Sequence, residues 1–288
     1  MNSTLMSRSP WPLGVVSNCW RVQLEAGVDL DLLIEEAVRR SFRAVELRQS
    51  CMGKYEFGSQ YLPRPDRLSE LAPRFPTVRF NLAMSLPCLS GDLKRNSPLF
   101  VASRAAAGAV AWGKPSHLRL VDLQTRPEQR PQLTVEAAAS GLTDLVESLI
   151  EVRGTLSVEN SIQPWTWFHA VVSEARRRLG ENSSRLRCCL DPCNLLETEC
   201  AEDVRTIVDS LSPDEVSLIH VKQRRDGQIL PDVSQGDLDW PDLLDTLHHR
   251  GHQGPVLFET TPHVDVWRNL ETSVAHLFGR SQSLCNVE

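Results

Sequence analysis

The sequence predicts an α/β protein folded as a (β/α)8 barrel, the TIM-barrel architecture. Eight strand-like segments alternate with helix-like segments along the 288 residues, at a spacing of about 35 residues that is typical of strand–helix–strand units. The strands are mostly apolar runs, as expected where both faces of a parallel sheet are covered. Four later strands also stop on an acidic residue or a histidine, and a barrel would bring these ends together at one mouth.

The predicted strands are short and rich in Val, Leu and Ile, which pack well in a buried sheet. In chain order they are residues 13–17, 43–47, 77–84, 117–121, 155–158, 186–190, 216–219 and 256–258. The predicted helices are residues 31–42, 67–71, 98–112, 134–152, 165–179, 201–211, 241–250 and 264–278. The first has apolar residues at helical spacing (Leu32, Leu33, Ala37 and Val38), the second is weak, the third is alanine-rich and the fourth is the longest.

A doubly wound open sheet is the competing architecture. It would normally carry a glycine-rich turn after its first strand, because the backbone there approaches a bound phosphate. Here the first strand runs into Asn18-Cys-Trp-Arg21, which contains no glycine. The proline-rich stretches are short enough to be loops between units. We therefore expect one barrel domain over residues 1–288.

Composition excludes several classes of function. The net charge of −6 and the pI near 5.8 disfavour a nucleic-acid binder, which neutralises phosphates with basic residues. The chain has no run of 18 apolar residues, and its start lacks the order of a signal peptide, so we expect a cytoplasmic protein without a membrane partner. The eight cysteines include no Cys-x-x-Cys pair, which favours reduced structural thiols over zinc knuckles or disulfides. His248, His249 and His252, on and after the seventh helix, are expected to be exposed.

Four strand ends predict a metal site. The fifth to eighth strands stop on Glu159, Asp191, His220 and Glu259. A lone glutamate at a strand end is more often a surface carboxylate, but four suitable residues on consecutive strands reverse that reading. Three carboxylates and one imidazole suit a hard or borderline divalent ion, and the ligand set does not choose among Mn²⁺, Mg²⁺, Co²⁺ and Zn²⁺.

Five short motifs carry a resemblance to a known family. They are Val158-Glu-Asn160, Leu190-Asp-Pro-Cys-Asn194, His220-Val-Lys222, Gly236-Asp-Leu-Asp-Trp240 and Phe258-Glu-Thr260. With the alternating pattern behind them, the second half of the chain resembles the xylose isomerase-like TIM-barrel superfamily, the sugar phosphate isomerase and epimerase group. The resemblance is strong over residues 134–271 and only architectural before them. The order Glu, Asp, His, Glu on strands five to eight matches the family's metal ligands.

Two positions depart from the family pattern. Gln223 stands where the family often has Asp, and Asn194 stands where some members have a His that serves substrate or a second metal. Both changes remove ligands for extra ions. The apurinic endonucleases of the same superfamily need a three-ion, histidine-rich cluster, and this chain lacks those histidines.

The resemblance implies a function. It predicts a metal-dependent isomerase or epimerase acting on a small sugar-like substrate through an enediolate, with Glu159 and Glu259 as both ligands and acid/base pair. Asp191 and His220 would complete the coordination shell. A metal-dependent dehydratase of a keto-polyol or keto acid is the first alternative, since the same enediolate can expel a β-hydroxyl. A non-catalytic barrel that acts as a binding partner is the second.

Substrate contacts are predicted at the same mouth. Glu46 ends the second strand, and Asn194 follows the sixth. Lys222 and Arg225 lie beyond the seventh strand, where a cation could hold a hydroxyl, carboxylate or phosphate. Their alternative interpretation is a solvated run of charges. A homodimer is common among such barrels and is compatible with the sequence.

Overall fold

The computed structural model describes residues 9–111 and 113–279. Eight parallel strands close into a barrel in which each strand pairs with its neighbours along the chain and the first pairs with the last. The strands are β1 (Leu13–Val16), β2 (Ala44–Arg48), β3 (Arg79–Ser85), β4 (His117–Val121), β5 (Thr155–Glu159), β6 (Leu186–Leu190), β7 (Val216–Val221) and β8 (Val256–Phe258). The predicted (β/α)8 barrel is confirmed.

Helices surround the barrel. The longer ones are α1 (Leu30–Arg39), α2 (Pro98–Ala111), α3 (Val135–Ile150), α4 (Trp165–Leu179), α5 (Ala201–Ser210), α6 (Trp240–His249) and α7 (Val266–Phe278). Short α-helical segments span Arg21–Glu25, Pro65–Leu68, Leu71–Arg74 and Pro192–Leu195, and 3₁₀ turns span Ser17–Trp20, Gly53–Tyr55, Pro127–Gln129 and Gly180–Arg185. The weak helix predicted at residues 67–71 is in fact two short helices. The predicted end of α2 at Trp112 lies outside the described residues.

Two small hairpins stand outside the barrel. One pairs Glu56–Phe57 with Leu62–Pro63, and the other pairs Arg224–Arg225 with Gln228–Ile229. Both interrupt the connection after a barrel strand, and the sequence pattern predicted neither. Loops after barrel strands vary without disturbing the core, so the periodicity of the strands does not define them.

The interior of the barrel has an apolar cluster of its own. It is separate from the main core between sheet and helices and takes one residue from each of five strands: Val16, Ala44, Cys189, Leu218 and Leu257. Cys188 and Cys189 of β6 pair with Val216 and Leu218 of β7, so Ser217 is the extra residue of a bulge. Side chains alternate along each strand, so residues two positions from these members also point inward and reach both ends of the barrel.

The structure also bears on the predictions made for the cysteines, for membrane-spanning segments and for three histidines. The seven cysteines of the described region are free, and all except Cys200 are buried. Every helix in residues 9–111 and 113–279 is too short or too polar to cross a membrane. His248 and His249 are exposed as expected, but the prediction for His252 is wrong: it is 2% exposed and lies beside Trp11, whose indole donates to its carbonyl oxygen.

Candidate metal centre at the barrel mouth

The four predicted ligands meet at the carboxyl ends of the strands. Glu159 ends β5, His220 lies near the end of β7, and Asp191 and Glu259 follow β6 and β8 directly. All four are buried, and one potential ligand atom from each lies within 4.8 Å of the others. Such convergence is what a parallel barrel produces from residues far apart in sequence.

His220 lies at the middle of this group. Its Nδ1 is 3.3 Å from an oxygen of Glu259 and 3.5 Å from an oxygen of Glu159. Its Nε2 is 3.1 Å from Glu46 Oε1. Neither ring nitrogen makes a well-formed hydrogen bond. Buried polar atoms normally have partners, so the unpaired nitrogens are consistent with a side chain that binds a cation.

A layer of charged side chains lies directly below. Arg119 projects from β4 and is 1% exposed. Its guanidinium donates to Glu46 Oε1, through Nε at 3.2 Å and through Nη2, and its Nη1 is 2.7 Å from Glu159 Oε2. Asn81 on β3 donates to the other oxygen of Glu46 at 2.5 Å. Glu46 is therefore fixed from three sides, with one oxygen turned toward His220.

A second cation serves the other side of the site. The Nζ atom of Lys222 is 2.7 Å from Asp191 Oδ2 and 3.5 Å from Glu259 Oε2. It also donates to Asn194 Oδ1 at 2.8 Å. Asn194 in turn donates to Glu159 at 3.1 Å. Lys222 and Asn194 thus connect three of the four candidate ligands and hold their carboxylates in place.

Local structure fixes the backbone of Asp191. Its Oδ1 accepts from the backbone N–H of Asn194 and caps the short helix that follows. The amide of Asn160 donates to the carbonyl of Asp191 and accepts from its N–H, both at 2.8 Å. These bonds leave Oδ2 of Asp191 directed at the cluster.

The charges of the site fit one divalent cation. Four buried carboxylates face two cations, the buried Arg119 and the 13% exposed Lys222, so two negative charges remain when His220 is neutral. Uncompensated charge is costly inside a protein. Arg48 is 3.9 Å from Glu259, but its side chain is 31% exposed, so water screens it. A divalent ion would neutralise the remaining charge.

The pKa values of the carboxylates follow from these contacts. Burial alone would raise the pKa of Glu159, but Arg119 and His220 lower it. Likewise Lys222 and His220 overcome burial and hold the pKa of Glu259 well below its usual value. Asp191 is the exception, because burial raises its pKa and Lys222 offsets this only in part. The two glutamates are therefore ionised near neutral pH.

The pKa of His220 shifts in the opposite direction, upward. Burial alone would lower its pKa, yet neighbouring groups raise it well above the ordinary value. These groups are the sulfur of Cys189 and the carboxylates of Glu46, Glu259 and Glu159. Burial raises the pKa of Cys189 to about 12, so its thiol is neutral near neutral pH and the carboxylates are the effective cause. A bound cation would take the place of this proton, because a ligating imidazole is neutral.

The predicted substrate-binding residues divide into two groups. Asn194 and Lys222 lie at the mouth, with their polar ends on the candidate ligands. Glu46 lies below the ligands, fully buried among Arg119, Asn81 and His220. Arg225 is exposed on the second hairpin, and its guanidinium donates to the carbonyl of Gln235. The structure brings neither Glu46 nor Arg225 into contact with the mouth cavity.

The sequence reading missed Arg119 and Arg48. Arg119 interrupts the apolar run His117-Leu-Arg-Leu-Val121, and an arginine at the centre of a buried strand needs a carboxylate partner. Arg48 stands two residues after Glu46 and shares its inward face. Both could have been found by asking which charged residues point into the barrel.

The cavity at the mouth is small. It measures about 140 Å³ and is lined by residues that include Glu159, Asn194, Lys222, Glu259 and Arg48. A larger cavity, of about 530 Å³, opens at the opposite end of the barrel. Size alone does not locate the chemistry, since the four candidate ligands converge at the mouth.

By its fold and this cluster, the protein falls in the class of (β/α)8 barrels that carry a candidate metal centre at the mouth. The family model described as Xylose isomerase-like TIM barrel matches residues 105–277. The chain belongs to this family. Comparison with curated proteins gives no sequence match.

Solved structures share the fold across most of the chain. The probable 3-DHS dehydratase AsbF of Bacillus anthracis is 12% identical, with a TM-score of 0.68, covering 93% of this chain and 99% of that one. The IOLI protein with a bound zinc atom is 15% identical, with a TM-score of 0.65 and coverages of 92% and 95%. A D-tagatose 3-epimerase-like protein is 16% identical, with a TM-score of 0.62 and coverages of 92% and 97%. At these identities the likeness concerns the fold.

Proposed function

We propose that this protein is a divalent-metal-dependent isomerase or epimerase of a small sugar or related polyhydroxy carbonyl compound. The observation that carries the proposal is the convergence of Glu159, Asp191, His220 and Glu259 within 4.8 Å, with the ring nitrogens of His220 unpaired. Solved structures of the same fold include an epimerase-like protein, a zinc-bound protein and a probable dehydratase, which is the range of chemistry that an enediolate allows.

The two glutamates are suited to moving a proton. They belong to β5 and to the residue after β8, which lie three strands apart around the eight-stranded ring and so face each other across the mouth. One carboxylate can take the proton from the carbon next to a carbonyl, and the other can return a proton to the opposite face. A divalent cation held by the four ligands would supply Lewis acidity at the carbonyl oxygen.

Other residues keep this pair in position. Arg119 holds one oxygen of Glu159 and favours its ionised form. Glu46 faces Nε2 of His220 and favours a proton on that nitrogen, which leaves Nδ1 free on the side of Glu159 and Glu259. A carboxylate behind a ligating histidine commonly fixes the tautomer and the ring orientation in this way. We therefore assign Glu46 to positioning His220 rather than to binding substrate.

Dehydration is the second candidate, and one observation favours it. The ammonium of Lys222 lines the mouth, and its pKa is raised because Asp191, Glu259 and Glu159 outweigh the effect of burial. A fixed ammonium there can donate a hydrogen bond to a departing hydroxyl and stabilise its charge, but the raised pKa makes it a weak proton donor. The thiol of Cys88 is an unsuitable acid, because it is buried and burial raises its pKa well above the ordinary value.

The experiment combines metal analysis with turnover in D₂O. Purified protein should contain about one divalent ion per chain, and it should exchange the α-proton of at least one compound in a panel of ketoses. An isomerase or epimerase product keeps its mass apart from solvent deuterium at the α-carbon. A product lighter by one water would replace the isomerase with the dehydratase, and the absence of both metal and exchange would contradict both.

A further inference from the structure

A second cavity, larger than the one at the mouth, lies at the amino-terminal ends of the strands, on the side of the barrel away from the candidate metal centre. We call this space, bounded by the first residues of β2 to β7 and by the segment just before β8, the basal cavity. Its volume of about 530 Å³ is within the range of sites that hold small molecules. The interior of a (β/α)8 barrel is usually packed with side chains, so this volume calls for an explanation.

The basal cavity is lined by cations without partners. Arg79, Lys114 and Arg187 line it, and no Asp or Glu does so within the described part of the chain. None of the three forms an ion pair with a described carboxylate. Arg187 only donates to the carbonyl of Ser184, at 3.3 Å. Arg119, Arg176 and Arg224, by contrast, each face a carboxylate.

Three polar side chains on the wall of the basal cavity, those of His117, Ser157 and Ser217, are joined by hydrogen bonds. Ser217 donates to the carbonyl of Cys188 at 2.9 Å, so Ser157 is the donor in its 2.5 Å contact with Ser217. Ser157 must then accept from Nε2 of His117, which leaves Nδ1 of His117 as an acceptor. Burial, together with the positive charges of Arg119, Arg187 and Arg79, lowers the pKa of His117 to about 4, so the ring is neutral. This electrostatic effect also indicates that both lining guanidiniums act on the same part of the cavity.

We propose that the basal cavity is a second ligand site, which binds a small phosphate monoester bearing hydroxyl groups. Three cations suit the two charges of a phosphate better than the single charge of a carboxylate, and guanidinium forks match its oxygens. A ligand hydroxyl can donate to the neutral ring of His117. The site is separate from the proposed reaction centre, and the proposal does not depend on the reaction assigned there.

The first experiment measures binding of glycerol 3-phosphate to the full chain by calorimetry. We expect one site per chain, with affinity reduced at least about tenfold in Arg79→Gln and in Arg187→Gln. Lys114→Gln should also lower the affinity. Because Lys114 is exposed, this substitution should not disturb folding, so a loss of affinity in it is not explained by misfolding. Arg268→Gln on the exposed side of α7 removes the same charge elsewhere and should bind as the wild type does. Glycerol and succinate should bind at least about tenfold more weakly than the phosphate ester.

A second measurement locates the ligand. The imidazole resonances of His117, assigned by comparison with His117→Gln, should shift as glycerol 3-phosphate is added. Binding that survives in all three cavity variants, or that leaves the His117 resonances unchanged, would place the anion elsewhere and overturn the proposal. Absence of saturable binding below about 10 mM would also overturn it.

Discussion

At the scale of single residues, Glu259 separates metal binding from proton transfer. Glutamine keeps an oxygen that can bind a cation but cannot accept the proton of the substrate. We therefore expect Glu259→Gln to lower turnover by about 10²-fold or more while metal still binds, although more weakly. Turnover on the identified substrate and metal content after dialysis measure the two effects separately.

A matched control removes a carboxylate far from the mouth. Glu181 is exposed in the turn after α4, and Glu181→Gln should leave both metal content and turnover as in the wild type. If Glu259→Gln kept turnover within about tenfold of the wild type, Glu259 would be only a ligand and the two-glutamate mechanism would be wrong.

Arg119 is the residue on which the layer below the ligands depends. Arg119→Met would leave Glu46 and Glu159 buried without their main counter-charge, and breaking such a pair costs about 3–5 kcal/mol. Denaturant unfolding of metal-free protein should show a loss of this size. In the double variant with Glu46→Gln the loss should fall short of the sum of the single losses by about 1 kcal/mol or more. Strictly additive losses would mean that the two side chains are not coupled.

At the scale of elements, alternation of the pattern was sufficient to predict the barrel. The predictions for β4, β6, β8 and α4 agree with the observed bounds residue for residue, and most other predicted ends differ by at most two positions. The structure adds caps that the pattern did not predict: Thr134 accepts from the N–H of Ala137, and Asp239 accepts from that of Asp242. Apolar periodicity is a local property, so one sequence is enough to reveal it.

Contacts across the barrel were less predictable. The four candidate ligands could be named because they end strands, but the partnership of Glu46 with Arg119 and His220 joins β2, β4 and β7. It depends on which strands face each other inside the ring, and a linear pattern does not contain that information. The same holds for Arg79 and Arg187, which meet at the basal cavity although they stand on β3 and β6.

Two glycines test how tightly the elements pack. A Cβ atom on Gly14 of β1 would lie 2.4 Å from the carbonyl oxygen of Ala44 and 2.4 Å from Leu257 Cδ2. Gly14→Ala should therefore destabilise the protein by about 1–3 kcal/mol through overpacking. Gly108 is exposed within α2, and a Cβ there meets nothing within 4 Å. Gly108→Ala should stabilise by about 0.5–1 kcal/mol, because glycine is a poor helix former.

Thermal and denaturant unfolding of both glycine variants measures these effects. Opposite signs are the expected result, since the same substitution meets backbone in one place and open space in the other. Equal effects at the two positions would mean that the strands around Gly14 move apart at little cost, and that the barrel wall is less rigid than its hydrogen bonding indicates.

At the scale of the whole molecule, charge is arranged along the barrel axis. Carboxylates concentrate at the mouth, and three cations without carboxylate partners in the described region line the basal cavity. The net charge of −6 does not reveal this arrangement, because it sums over the whole chain. Each end can therefore attract a ligand of opposite charge, a metal ion at the mouth and an anion at the base.

Stability of the whole molecule in acid should depend on His252. This side chain is 2% exposed, and burial, with a smaller contribution from Arg187, lowers its pKa to about 4. In the unfolded chain a histidine titrates near 6.5. Between these two pH values the unfolded state binds a proton at His252 and the folded state does not. The contribution of His252 to the free energy of unfolding is therefore fully present above pH 6.5 and is lost as the pH falls toward 4. The loss attributable to this residue has a ceiling of about 3 kcal/mol.

The comparison with His252→Leu isolates this contribution from those of the carboxylates. The free energy of unfolding of the wild type minus that of the variant should fall by an amount approaching that ceiling between pH 7 and pH 4, both proteins being measured with chelator present. The leucine variant keeps the backbone carbonyl that accepts from Trp11, so the packing of the amino-terminal residues onto this end of the barrel is retained. A difference that stays constant over this range would show that His252 is not held neutral by burial, and that acid unfolds the barrel through the carboxylates of the mouth instead.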